Sequence, residues 1–283
     1  MVGRSIYNII ICGMDFIPLI PIILGLVTGA ILGLTGAGGA IIAVPLLTFG
    51  LGLPLVDAAP IALLAVAMAA ALGAYVGFRR RVLRYKAAAV MSVVGICFSP
   101  IGLWAALKIP NQPLSLLFSV VLMAVAANLF RQARRELAGA APESSCGQPC
   151  LLDQARGKLT WTLACFRAMV TAGALAGFLS GLLGVGGGFV IVPALKRFTD
   201  LPLNAIISTS LGVITLVSLA GVSVAAVSGT VIWETAMPFA AGCMCGMLAA
   251  RHLGERLRGP RLQQIFAVFA LTVGITMMLS ALS

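Results

Sequence analysis

Acidic residues and histidine are scarce in this sequence. Its 283 residues include 8 Asp and Glu and a single His, and charged residues of both signs make up 10% of the chain. Soluble domains carry about a quarter charged residues, so this scarcity excludes an ordinary water-soluble enzyme and a disordered protein. One His also excludes a metal site built from several His side chains.

The chain is instead rich in apolar and basic residues. Hydrophobic residues make up 60% of it, the mean hydropathy is +1.09, and 19 Lys and Arg give a formal net charge of +11. A basic balance can indicate nucleic-acid binding, but here the basic residues stand in short clusters between long apolar runs. That arrangement is typical of a polytopic membrane protein. We therefore expect the lipid bilayer, and no nucleic acid, as a partner.

Six apolar runs are close to the length that crosses a hydrocarbon core of about 30 Å. They are residues 58–78, 87–107, 114–130, 203–227, 235–250 and 262–282. Two further apolar regions, 16–53 and 168–195, are interrupted by clusters of glycine, which break helices. The pieces on each side of the glycines in 168–195 are too short to span comfortably. We interpret each region as a re-entrant hairpin that returns to the face it entered from.

Three basic clusters, at residues 79–86, 131–167 and 251–261, orient these spans. If all three face the cytoplasm, the first hairpin enters from outside and the second from inside. The long central loop is then cytoplasmic and both termini lie outside. We expect a multi-pass protein of the cell (inner) membrane.

A shift of 148 residues aligns the chain with itself. The glycine clusters, the Val-Pro pairs at 44 and 192, and the Leu-Pro pairs at 53 and 201 coincide without a gap. Units that enter from opposite faces are inverted-topology repeats, an architecture of transporters. We predict one all-α polytopic membrane domain over residues 1–283. Repeat 1 covers about 16–130 and repeat 2 about 168–283, each a re-entrant hairpin plus three transmembrane helices, and a flexible linker covers about 131–167.

The glycine clusters predict a site for an anion. A helix that restarts after each break presents free N–H groups and a positive dipole end, which bare glycine backbone lets an oxyanion approach. We expect both N-termini to point toward the midplane, from opposite sides. The candidate substrate-binding residues are the turn glycines and nearby hydroxyls: Thr35, Gly36, Gly38, Gly39, Ser180, Gly184, Gly186, Gly187, Gly188, Ser208, Thr209 and Ser210.

Each of these residue types also has a purely structural explanation. Glycines at such spacing also serve tight helix packing, and Ser and Thr in helices often bond the carbonyl four residues earlier. The absence of charge from the middle of all six runs favours a neutral or anionic substrate, because cation carriers usually place an acidic residue there. We expect a small anionic substrate and no cofactor, metal or catalytic residue; the oligomeric state stays open.

At these residues the sequence resembles the sulfite exporter TauE/SafE family of membrane permeases. The strings that carry the resemblance are GFLSGLLGVGGGFVIVPAL at 177–195, ISTSL at 207–211 and SGTVIW at 228–233, with a looser copy at 33–47. The resemblance implies movement of sulfite, sulfonates such as sulfoacetate, and related organosulfur anions. The first copy departs from the pattern, with AGGA at 37–40 and DAAP at 57–60, where the second half has AIIS at 205–208. We therefore expect two unequal half-sites.

Cysteines supply the competing hypotheses. Cys97 and Cys245 occupy equivalent repeat positions, and a symmetric buried pair would be able to relay thiol–disulfide electrons across the membrane; buried Cys is more often a small hydrophobe. Cys146 and Cys150 with Cys165 offer a loose metal-ligand spacing, for which an ordinary linker is the simpler interpretation. An intramembrane serine protease using Ser180 lacks a base, since the one His, His252, stands in a basic loop.

Overall fold

The computed structural model describes residues 19–36, 38–138, 150, 152–153, 158–159, 162–227, 229, 231–257 and 260–282. In these parts of the chain there are ten α-helices. The first five are α1 (Leu19–Thr35), α2 (Gly38–Leu51), α3 (Leu55–Arg79), α4 (Tyr85–Lys108) and α5 (Asn111–Leu137). The second five are α6 (Leu163–Leu183), α7 (Gly188–Phe198), α8 (Leu203–Val227), α9 (Trp233–Leu257) and α10 (Pro260–Leu282). The predicted all-α polytopic class is confirmed; one antiparallel pair of two-residue strands, β1 (Leu152–Asp153) and β2 (Lys158–Leu159), lies between α5 and α6.

Five of the described helices are long and apolar enough to cross a membrane: Leu55–Arg79, Tyr85–Ala106, Gln112–Arg135, Leu163–Leu183 and Leu203–Val227. Four of them contain predicted runs, and the other two predicted runs lie in α9 and α10.

The length of α6 corrects one prediction. We expected the segment 168–183 to be too short to span, but α6 begins at Leu163 and has 21 residues. The reason lies in its N-terminal cap, because the Thr162 hydroxyl accepts a hydrogen bond from the Cys165 N–H at 3.1 Å and starts the helix early. The long arm of the second hairpin therefore reaches the length of a full span.

Both helix breaks occur at the predicted glycines. The helix α1 ends at Thr35, the next residue Gly36 donates its N–H to the Leu32 carbonyl at 2.8 Å, and α2 starts at Gly38. The helix α6 ends at Gly184, and Gly186 and Gly187 continue the turn to α7, all three with φ between 68° and 74°. L side chains rarely adopt this left-handed conformation. The chain is therefore able to reverse here because these positions are glycine.

Helix packing pairs the two halves of the chain reciprocally. The long arm α1 packs most extensively on α9, and its counterpart α6 packs on α4. In the same way α3 contacts α9 while α8 contacts α4, and the counterparts α3 with α8 and α5 with α10 pack on each other. Exchanging every helix for its counterpart leaves this pairing unchanged, as expected for the 148-residue repeat. The inverted orientation of the two units in the membrane stays a prediction.

Two seams of glycine make these contacts possible. A Cβ atom added at Gly25 or Gly29 of α1 would collide with the backbone carbonyl of Phe239 or Cys243 on α9. The second seam has the same construction between α6 and α4: the glycines at 173, 177 and 181 lie against the carbonyls at 91, 95 and 99. For these glycines the packing interpretation is correct.

A disulfide joins the central linker to the second hairpin. Cys150 is bonded to Cys165, with 4.9 Å between their Cα atoms, and the Cys150 N–H donates to the Phe198 carbonyl at 3.2 Å. In the structure these two cysteines are therefore paired with each other. Cys146 and the predicted flexible segment 139–145 lie outside the described residues.

The disulfide and the charge pattern favour opposite compartments for this linker. Disulfides are rare in the reducing cytosol, whereas three basic clusters place the linker there. Because the charge signal is spread over the whole chain, we keep the cytoplasmic orientation as the prediction, with the two cysteines held reduced and adjacent in the cell.

This prediction is tested in a variant that keeps only Cys150 and Cys165. Because both side chains are buried, the cells are quenched in acid and the protein is unfolded in SDS before labelling, and we expect both thiols to react with a mass-tagged maleimide without prior reduction. Oxidation of open membranes with copper phenanthroline should abolish the reaction, because the two residues are close enough to bond. A further Cys150→Ala change is the control, since Cys165 alone stays reactive. Thiols that require reduction before they react would place the linker in an oxidising compartment.

Candidate functional site

The turn of the second hairpin lies where α3 and α8 cross. A Cβ atom on Gly186 would lie 3.3 Å from Ile214 Cγ2 and 3.5 Å from Val66 Cγ1. Val66 is the twelfth of 25 residues in α3, and Ile214 is the twelfth of 25 in α8. The turn therefore stands half-way along both helices, where a site at the middle of a bilayer would be.

The N-terminus of α7 begins at this turn and is buried. Val190 and Ile191 donate their N–H groups to the Gly187 carbonyl at 3.1 and 3.4 Å. The amides of the residues just before Val190, from Gly187 to Phe189, precede this first hydrogen-bonded turn and have no partner inside the helix. Residues 184–189 are all buried, so the positive end of the α7 dipole lies in a low-dielectric interior.

Two serines on the helices around the same turn have buried hydroxyls without partners. Ser218 on α8 is 0% exposed, and its Oγ lies 2.6 Å from the position of a Cβ on Gly186. Ser180 on α6 is 1% exposed, and its carbonyl accepts the Gly184 N–H at 2.9 Å. Within the described residues neither Oγ has a hydrogen-bond partner. Ser180 was a predicted site residue, and Ser218 was missed.

The turn of the first hairpin contacts α8 closer to its N-terminus. A Cβ on Gly36 would lie 2.8 Å from Ile207 Cγ2, and the Ser210 hydroxyl donates to the carbonyls of Ile207 at 2.9 Å and Gly36 at 3.3 Å. Gly184, the counterpart of Gly36 under the 148-residue shift, meets α3 in the same way, because an added Cβ would collide with the Ala59 Cβ. Ile207 and Ala59 are each the fifth residue of their helix. The predicted residues thus form two groups, one at each hairpin turn.

The other predicted hydroxyls have protein neighbours in this conformation. Thr35 donates to the Ile31 carbonyl at 2.8 Å, as helical threonines often do. Thr209 Oγ1 accepts from the Arg84 N–H at 3.2 Å. Ser208 is 3% exposed and packs against Gly77, where an added Cβ would lie 2.8 Å from its Oγ.

The remaining predicted glycines divide between turn and packing. Gly38 and Gly188 are the first residues of α2 and α7. A Cβ on Gly39 would collide with the Thr28 carbonyl, and one on Gly187 would lie 2.5 Å from the Ala176 carbonyl. Both glycines therefore allow the short arm of a hairpin to touch its long arm, whatever their amides bind.

Sequence reasoning also misplaced Arg251, which we assigned to a cytoplasmic loop. It lies inside α9, half-buried, and its guanidinium donates to the Gly73 carbonyl of α3. Its neighbours on α9, Met247 and Ala250, contact Gly33 next to the first turn. A positive charge thus stands beside the first hairpin turn, where it would attract anions.

The cysteines of the competing hypothesis are not buried. Cys97 on α4 and Cys245 on α9 are free and exposed, whereas Cys243, two residues before Cys245, is buried. The expectation of a symmetric buried pair is therefore wrong, because the helix faces that carry both thiols point away from the packed interior.

Known proteins are similar to this chain over most of its length. The profile of the family described as sulfite exporter TauE/SafE matches residues 21–277. A probable membrane transporter protein of Xylella fastidiosa (strain Temecula1) is 31% identical over 263 residues, covering 89% of this chain and 91% of its own. The probable membrane transporter protein YunE of Bacillus subtilis is 23% identical over 268 residues, covering 92% and 96%. No solved structure matches significantly.

Substitution of Gly187 tests the hairpin turn. Gly187→Ala combines left-handed backbone with a Cβ 2.5 Å from the Ala176 carbonyl, so we expect loss of transport and a lower thermal midpoint with membrane insertion intact. Gly52→Ala is the matched control: φ is +67° but nothing lies within 4 Å, and the strain costs only about 1–2 kcal/mol. Equal effects of the two changes would contradict the assignment.

Substitution of Arg251 tests its position inside the bundle. Arg251→Met keeps the apolar stem and removes the bond to the Gly73 carbonyl, and bonds to charged groups contribute about 1.5–3 kcal/mol. We expect a thermal midpoint several degrees lower in detergent. Arg79→Met, at the exposed end of α3, should change it little, and similar shifts in both variants would return Arg251 to a solvated position.

Proposed function

The chain belongs to the sulfite exporter TauE/SafE family of membrane transporters, and from this premise we propose that it moves a small sulfur-containing anion across the cell membrane. Sulfite or an organosulfonate fits best. The protein would move this anion without converting it chemically.

One observation carries the choice of an anion. The amides at the start of α7, which have no partner inside the helix, are buried half-way along α3 and α8, next to the Ser218 hydroxyl, which lacks a partner among the described residues. Donors grouped at a positive dipole end favour a ligand made of oxygen acceptors with negative charge. The apolar surroundings, including Val66 and Ile214, supply no charge that would hold the anion permanently.

Absence of a fixed countercharge from the middle of the long apolar runs suits transport. A site must bind tightly enough to load and weakly enough to release, and dipoles meet this need better than a buried ion pair. Sulfite also titrates to bisulfite, so its own protonation would couple flux to pH without a buried acid. Arg251, beside the other turn, would raise the local anion concentration at one mouth of the path.

Inverted repeats predict alternating access by rocking of one repeat against the other, but the packing favours two different groups of helices as the moving bodies. Each glycine seam brings two backbones into direct contact, so α1 would not slide freely on α9, nor α6 on α4. We infer one moving body of α1–α3 with α9 and another of α6–α8 with α4. Rocking would then occur at the contact of α3 with α8, where the turn of the second hairpin lies.

The proposed function is tested by uptake of labelled sulfite into proteoliposomes that contain the purified protein, with and without a pH gradient. We expect saturable flux that an excess of sulfoacetate inhibits, because both anions present sulfur-bound oxygens to the same donors. Gly187→Leu is the inactive control: we expect it still to insert into the membrane, and its flux is compared per amount of reconstituted protein. Flux of neither anion above empty liposomes would overturn the assignment of substrate.

A further inference from the structure

Ser218 behaves differently from the other hydroxyls of α8. Thr215 donates to the Leu211 carbonyl at 2.8 Å, and Ser223 donates to the Leu219 carbonyl at 2.8 Å, the usual partners of hydroxyls in a helix. Ser218 makes no such bond to any described residue, although it is 0% exposed. A buried donor left unpaired costs about 1–3 kcal/mol, and an oxygen of a bound ligand is an acceptor that would remove this cost.

The partner has to lie beside Gly186, within reach of both Ser218 and the start of α7. The hydroxyl faces Gly186, where the missing side chain leaves backbone open to it, and Gly186 and Gly187 both have positive φ. Beyond them stand the amides that precede the first turn of α7, an 11-residue helix. A ligand there meets one hydroxyl from α8 and several N–H groups from α7, all of them donors.

We propose that Ser218 is a substrate-contacting residue that selects for an oxyanion at the α7 N-terminus. The hydroxyl donates to one oxygen of the sulfite or sulfonate group while the other oxygens accept from the α7 amides. This inference rests on the proposed function and adds a residue that fixes the orientation of the group. A tetrahedral or pyramidal oxyanion has oxygens in several directions, which suits donors from two helices.

The site is single because the two repeats differ here. The counterpart of Ser218 under the 148-residue shift is Ala70, and the counterpart of Ser180 is Leu32. The first hairpin therefore lacks both hydroxyls that flank the second, and its own turn carbonyl at Gly36 is already bonded to Ser210. One anion per chain binds, on the side of the second hairpin.

The test compares Ser218→Ala with Ser223→Ala, the same change one and a half turns along α8. We expect Ser218→Ala to raise the KM for sulfite about tenfold, equivalent to about 1.4 kcal/mol, and Ser223→Ala to leave it unchanged because that hydroxyl is exposed and bonded to its own helix. Ser218→Cys, with a weaker donor, should fall between them.

A second readout separates binding from a structural role and needs no flux. Removing an unpaired buried hydroxyl should leave the anion-free thermal midpoint in detergent unchanged or higher, while the upward shift that sulfite gives the natural protein is lost. A lowered anion-free midpoint, or a sulfite shift equal to that of the natural protein, would overturn the role of Ser218. Flux in the natural protein with an unaltered Ser218→Ala refutes this inference alone, whereas absence of flux and of a sulfite shift in the natural protein refutes the proposed function with it.

Discussion

Direct contact between helix backbones is the constraint on which this structure depends. Where the glycines of α1 face α9, and those of α6 face α4, no side chain separates the two helices. This closeness lets a hairpin lie inside the bundle, and a hairpin turn has irregular backbone that membranes tolerate only when protein or water covers it. The hairpin turns, the amides at the start of α7 and the candidate site therefore depend on these seams.

The seams also join parts of the chain that the sequence keeps apart. Each long arm is held by the fourth helix of the other repeat, so the units that pack together are not the units that repeat. A rigid-body movement of one repeat against the other would have to break both seams. Movement at the contact of α3 with α8 leaves them intact and changes the surroundings of Gly186, which touches both helices.

Local sequence predicted the breaks but not the neighbours. Gly36 and Gly184 end helices as expected, because clustered glycines lower the stability of a continuous helix even within an apolar run. Local sequence did not identify Ser218 as a site residue. Its role depends on contact with Gly186, which is 32 residues away in the chain. Comparison of the repeats offered the one usable signal, because Ser218 stands where the first repeat has Ala70. The early start of α6 and the partner of Arg251 likewise depend on a cap and a carbonyl that spacing rules do not detect.

The inequality of the two turns follows from the same packing. Near Gly36 the donors are already engaged, with Ser210 bonded to two carbonyls and Thr35 to its own helix. Near Gly186 the Ser218 hydroxyl has no partner among the described residues, and an unpaired buried donor lowers stability. Under the proposed function, an anion would relieve this cost, and its affinity would depend on neutral donors. A cationic side chain at the centre would hold the anion more tightly and release it more slowly. Arg251 instead donates to the Gly73 carbonyl of α3, where its charge would speed the arrival of an anion without holding it at the midpoint.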